Sequence, residues 1–292
     1  LNRVMLTLDI LTCYFLLSMK AVTKITMIKR LIVGHNTRLR LKNWDPDCLV
    51  EHDQEHAQNV LIDLMNQMSD LQYKLYADKG KALLIVLQGI DTSGKDSTIR
   101  HVMGAFNPQS CRALSFKTPD NEELSHDYLW RAHKNIPAKG EIAIFNRSYY
   151  EDVIEVSVHK MISKSTCHKR YKQINDFERY LVENDIQIVK LFLHISKDEQ
   201  KKRLQKRLND PTKQWKFSDN DILERRYWDR YIQAHENVLS KCSTKCAPWY
   251  IIPANAKWFR NFAVANIIVS VLQSMNLRFP KPKTNLSNII ID

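Results

Sequence analysis

The stretch Gly89-Ile90-Asp91-Thr92-Ser93-Gly94-Lys95-Asp96-Ser97-Thr98 gathers the residue types that hold a phosphate group. Gly89 and Gly94 allow tight turning, so that successive N–H groups point at one anion. Lys95 adds a full positive charge for bridging or terminal phosphate oxygens. A helix opening there contributes unpaired N–H groups and the positive end of its dipole, with Ser97 and Thr98 in its first turn. The chain has only six glycines, so two of them in one loop is informative. Asp96 stands where such loops usually carry the Ser or Thr that holds Mg²⁺, and Asp91 lies inside the loop. A carboxylate repels phosphate unless a metal or a proton lies between them. Asp91 and Asp96 are therefore the candidate Mg²⁺ ligands.

The elements around the loop must position it. Residues 82–87 form a continuous apolar run that predicts a strand buried on both faces, leading into the loop and then a helix through residue 106. Upstream, helical spacing over 53–79 predicts a packing helix. Further strands are predicted at 111–117, 142–145, 187–195 and 249–253, with helices at 121–134, 169–183 and 257–275. In open parallel sheets ligands gather at the C-terminal ends of strands. That places Asn146, Arg147 and Glu151, which follow the third strand, opposite the phosphate loop. Arg100, Lys117 and Arg131 could line a track for an extended anion.

Residues 198–208 and 219–239 read as two helices around a Pro-broken loop at Asp210-Pro211. Arg203 and Arg207 lie four apart and share a face. Most charge runs are solvated surfaces, and some of these arginines could instead pair Asp229 or Glu224. Arg at spaced positions beside a phosphate loop favours a lid, because guanidinium keeps its charge when water is excluded.

The chain has 292 residues, 44% hydrophobic and 26% charged, which excludes a wholly disordered protein, a collagen and a disulfide mini-protein. A net charge of +12 calls for an anionic partner. No nucleic-acid recognition motif is evident, although a basic nucleic-acid binder is a third class to weigh. Cys13, Cys48, Cys111, Cys167, Cys242 and Cys246 are scattered and read as free thiols of a cytoplasmic protein. The apolar stretch 6–17 is interrupted by Asp9 and too short to span a bilayer, so no membrane partner is expected. The organisation expected is a leader and basic arm over 1–44, one domain over 45–278 with a helical lid at about 198–240, and a tail over 279–292.

The phosphate loop together with Phe145-Asn146-Arg147-Ser148-Tyr149-Tyr150-Glu151-Asp152 resembles the polyphosphate kinase 2 family. So do Asp210-Pro211-Thr212-Lys213-Gln214-Trp215-Lys216-Phe217, Tyr227-Trp228-Asp229-Arg230-Tyr231, Ala247-Pro248-Trp249-Tyr250 and Lys257-Trp258-Phe259-Arg260-Asn261, over roughly residues 45–275. The resemblance implies a P-loop kinase-like three-layer α/β/α fold with a mostly parallel five-stranded sheet. It implies transfer of phosphoryl groups between inorganic polyphosphate and nucleotides with Mg²⁺ (Mn²⁺ as a substitute), in a dimer or tetramer. Asn146 stands where some branches carry Asp, which makes it a further metal candidate. Asn146 with Glu151-Asp152 resembles the branch accepting mono- and diphosphates, AMP and ADP foremost, and Tyr149 stands where that branch usually has His. On this reading Lys95 holds the transferring phosphate, and Arg147, Arg203 and Arg207 stabilise its equatorial oxygens. Asp91 orients the attacking oxygen or grips Mg²⁺, and Asp96 and Glu151 contact metal or nucleotide. The alternative is an ATP-dependent nucleoside monophosphate kinase resembling thymidylate kinase.

Overall fold

The computed structural model describes residues 26–285 except 36, 51 and 52, together with 289 and 291. The stretch 6–17 and Cys13 lie outside the described residues. Five strands run parallel in the order β2-β3-β1-β4-β5: β1 Ala82–Gln88, β2 Cys111–Ser115, β3 Ile142–Asn146, β4 Ile186–His194 and β5 Trp249–Pro253. β1 is central and buried along its whole length, which is why its sequence is apolar without alternation. Its side chains still alternate between layers. Leu83, Ile85 and Leu87 enter one core with α1 (Gln54–Asp78), whereas Leu84 and Val86 enter the other.

Further helices are α2 Lys95–His101, α3 Asn121–Ser125, α4 Trp130–His133, α5 Glu151–Val158, α6 Lys164–Glu183, α7 Lys197–Asn209, α8 Asp219–Arg225, α9 Trp228–Lys241 and α10 Lys257–Ser274. Three readings change. The helix predicted over 121–134 is split into α3 and α4, with Asp127 turning the chain between them by accepting from the Leu129 N–H. The second lid helix is broken at Arg226 and Tyr227 into α8 and α9. The basic arm is not a loose appendage: Met27, Leu31, Val33, Leu39 and Leu41 are buried, and Ile32 makes an antiparallel bridge to Tyr250 on the edge of β5. Met27 and Leu31 join one core cluster, and Val33, Leu39 and Leu41 the other.

Behind the sheet, Lys190 of β4 and Glu178 of α6 form a fully buried pair, 2.6 Å apart. The hydroxyls of Tyr149 and Tyr150 both donate to Glu178 Oε1, at 2.9 and 2.7 Å. Tyr149 thus turns into the core, away from the sheet's ligand-binding edge. Cys48, Cys111, Cys167, Cys242 and Cys246 are free thiols, and burial pushes those of Cys111 and Cys242 up to about 12. No helix among the described residues is long and apolar enough to cross a membrane.

Candidate active site

The phosphate loop follows β1, and Arg147 follows the adjacent strand β3, so parallel pairing carries both to one edge. Arg147 Nη2 donates to Asp91 Oδ1 at 2.5 Å, and Lys95 Nζ lies 4.0 Å from the same oxygen. Lys95 is buried and donates to the carbonyl of Gly89 at 2.7 Å. Burial would raise the Asp91 carboxyl, but Lys95 and Arg147 together hold it below the usual carboxylate range. Burial lowers Lys95 and raises Glu151, whose carboxylate Arg147 and Lys95 partly compensate. Asn146 Nδ2 donates to Asp96 Oδ1 at 2.7 Å. Arg147 and Thr92 hold left-handed backbone conformations, φ 62° and 65°. Non-glycine residues bear that cost where the surroundings fix the site.

Two cavities meet at the Asp91–Arg147 pair. The larger, about 920 Å³, is lined by eleven Lys or Arg side chains against three Asp. The smaller, about 180 Å³, has the opposite balance, with Asp91, Glu151, Glu155, Asp221 and Glu224 against Arg147 and Arg225. Of the predicted site residues, Gly94, Lys95, Asp96, Ser97, Arg100, Lys117, Arg203 and Arg207 line the larger cavity, with Asn146 beside them. Gly89 and Glu151 line the smaller one, and Asp91 and Arg147 line both.

Other expectations are corrected. Arg131 is buried and held by Glu123, Asp152 and the Lys117 carbonyl, so it forms no part of the track. Thr98 is buried, its hydroxyl donating to the Gly94 carbonyl. Arg203 has each guanidinium nitrogen engaged: Nη1 with the Thr92 and Ser93 carbonyls, Nη2 with those of Ala254 and Asn255, and Nε with Glu199. In this structure it braces the phosphate loop at the wall of the larger cavity. Arg207 donates to Asp221 at 2.9 Å and to the Lys216 carbonyl at 3.1 Å, tying the lid together.

Lys206, Lys213, Lys216, Lys257 and Arg260 also line the cationic cavity, and the sequence reading assigned them no role. Arg260 is the most informative. It is 1% exposed, its Nη2 reaches Ser97 Oγ at 3.1 Å, and its Nη1 is buried without a partner among the described residues. Burial and nearby Arg203 depress it to about 10. A buried cation beside another cation, with one nitrogen unsatisfied, suits an anion arriving in the loop. The signal was present: Arg260 is the only charged residue in the stretch 258–274.

Gly94 has φ +107°, and a Cβ there would collide with Arg260 Nη1. Gly94→Ala is expected to lose at least about 1 kcal/mol of stability from the left-handed backbone alone. It should also weaken binding of a phosphate-bearing polyanion, because the displaced guanidinium is part of the cavity wall. Urea unfolding of G94A, and of G94A in an Arg260→Ala background, separates the two: only the steric part is relieved in the double variant.

The profile of the family described as Polyphosphate kinase 2 (PPK2) matches residues 51–280. The chain is 44% identical to the AMP/ADP-polyphosphate phosphotransferase of Meiothermus ruber, over 91% of this chain and 100% of that protein. It is 41% identical to the ADP-polyphosphate phosphotransferase of Rhodopseudomonas palustris, over 87% of this chain and 92% of that one. The crystal structure of Polyphosphate Kinase 2 from Arthrobacter aurescens TC1 superposes with a TM-score of 0.86 at 40% identity, covering 89% of this chain and 93% of that one. The fold, the phosphate loop facing Arg147 and these relatives agree: the chain belongs to the polyphosphate kinase 2 family.

Proposed function

We propose that this chain transfers the terminal phosphoryl group of inorganic polyphosphate to nucleoside mono- and diphosphates, AMP and ADP first, and runs the reverse reaction as well. One observation carries the reading: a cavity lined by eleven cationic side chains shares the Asp91–Arg147 pair as a wall with a second cavity. A donor chain in the first and an acceptor entering from the second would meet there. An oxygen of the acceptor's terminal phosphate attacks the terminal phosphorus of the polymer. The anhydride P–O bond breaks, and the polymer leaves one phosphate shorter. One anhydride is made for each one broken, which favours reversibility. Both reactants are polyanions, so catalysis consists of neutralising charge and aligning them. Lys95 exchanges the Gly89 carbonyl for a phosphate oxygen, Arg147 bridges to the transferring group, and Arg260 completes the wall beside Gly94.

The donor set suits Mg²⁺. Both side-chain contacts of Asp91 converge on Oδ1, and Asp96 is exposed at the cavity with the Asn146 amide on its Oδ1, so hard carboxylate oxygens line the cavity. Asp91 and Asp96 would hold the ion, with Mn²⁺ as a substitute; when bound it neutralises phosphate charge. We place the protein in the cytoplasm as a homo-oligomer, a dimer or tetramer.

The test uses the full chain with AMP or ADP and either polyphosphate or ATP as sole donor. Polyphosphate with Mg²⁺ should support a rate at least about tenfold above ATP, and chelator should abolish it reversibly. ATP as the better donor would favour the thymidylate-kinase-like alternative, which the names of the relatives do not support.

A further inference from the structure

Two carboxylates that line the smaller cavity, Glu155 and Glu224, converge with His159 on one point. His159 lies just beyond α5, Glu155 in its last turn, and Glu224 on α8. Glu155 Oε1 is 3.2 Å and Glu224 Oε2 is 3.1 Å from His159 Nε2, and the candidate ligand atoms all lie within 4.8 Å of one another. Ligands placed tetrahedrally at zinc distances of about 2.0–2.1 Å stand roughly 3.3 Å apart. The histidine-to-carboxylate spacings already match.

Charge and hydrogen bonding point the same way. The Tyr231 hydroxyl lies 2.8 Å from Glu155 Oε2 and 2.7 Å from Glu224 Oε2, yet it has one proton for two carboxylates. His159 Nε2 likewise has one proton for the same two groups. No lysine or arginine nitrogen lies within 4.0 Å of either carboxylate among the described residues. Two facing carboxylates thus compete for two single-proton donors, an arrangement that a divalent cation satisfies. The carboxylates and imidazole are each less than 40% exposed, with side-chain exposures of 37%, 17% and 22% for Glu155, Glu224 and His159.

We propose that Glu155, His159 and Glu224 form a site for one zinc-class divalent cation, with Tyr231 orienting both carboxylates. The imidazole ligand favours a borderline transition cation over Mg²⁺, which distinguishes this site from Asp91 and Asp96 in the phosphate loop. The cation joins the end of α5, in the body, to α8, in the lid, and stabilises the lid placement seen here by mass action. The inference does not depend on the phosphoryl-transfer reading.

The experiment takes the full chain, stripped with chelator and dialysed, in buffer free of phosphate and nucleotide. Cobalt(II) is the spectroscopic probe and zinc(II) the competitor. A single equivalent of cobalt should give the visible bands of a low-coordinate nitrogen/oxygen site without thiolate charge transfer, zinc should remove them, and zinc should raise the unfolding temperature. His159→Gln and Glu224→Gln should each weaken binding at least about tenfold, and Asp96→Asn should retain the cobalt spectrum. Glu155→Gln, at the most exposed of the three positions, guards against loss through misfolding and should show the same weakening. No visible band and no zinc-dependent stabilisation in the parent chain would overturn the site. So would a thiolate band, or affinities unchanged in all three ligand variants.

Discussion

Lys95→Ala should lower kcat for phosphoryl transfer about a thousandfold while changing KM for long polyphosphate only a few-fold. Removing one preorganised donor aimed at developing charge typically costs about 10²–10³ in kcat, roughly 2.7–4 kcal/mol. Lys95 belongs at the upper end because its ammonium is buried in the loop, 8% exposed, where its field is poorly screened. Ground-state binding should survive, since the other Lys and Arg side chains of the larger cavity still hold the polymer. Interactions shared by ground and transition states affect KM, whereas those made only at the transferring group affect kcat. Steady-state kinetics with long-chain polyphosphate and ADP give the split directly, with an unfolding curve to show that the variant is intact. A variant with parental kcat, or one whose entire loss lies in KM, would remove Lys95 from the transferring phosphate.

The sequence made the loop and central strands legible because their physics is local. β1 is buried on both faces, so it had to be a continuous apolar run, and a phosphate loop needs its glycines and lysine within a few residues. Arg147 was also legible: the strand-end rule of parallel sheets places it near Asp91, although 56 residues separate the two. Features set by tertiary partners were not. Arg131 has the composition of a phosphate ligand, yet Asp152 and Glu123 capture it. Arg203 lies on the expected helix face, but four backbone carbonyls from two loops bind its guanidinium. Arg260 reaches Ser97 across 163 residues, and its apolar neighbours in the chain make it resemble core. The break between α8 and α9 carries neither Gly nor Pro, so nothing in the local sequence marks it. Tyr149, a departure from the branch pattern in the sequence, is in the structure a donor to a buried carboxylate.

That carboxylate yields the largest stability effect. Glu178→Leu should reduce the unfolding free energy by about 3–5 kcal/mol, the usual cost of removing one partner from a buried ion pair. Lys190 is fully buried, and without Glu178 it would retain only the Tyr150 hydroxyl at 3.1 Å and the Cys242 carbonyl at 2.6 Å. The two phenols would lose their acceptor in the same step. Burial and then Glu178 hold both well above the ordinary tyrosine range, so they stay protonated donors throughout the pH range in which the protein would be studied. Lys190→Met should cost less, because Glu178 keeps two hydroxyl donors on Oε1, at 2.9 and 2.7 Å. The double variant should be more stable than the sum of the single losses implies, since neither charge is then left alone, but still below the parent, because the phenols remain unpaired at about 1–3 kcal/mol each. Urea denaturation of the four proteins closes the cycle. Strict additivity would mean that Lys190 and Glu178 act independently, and the 2.6 Å contact would then not be the interaction that holds α6 against β4.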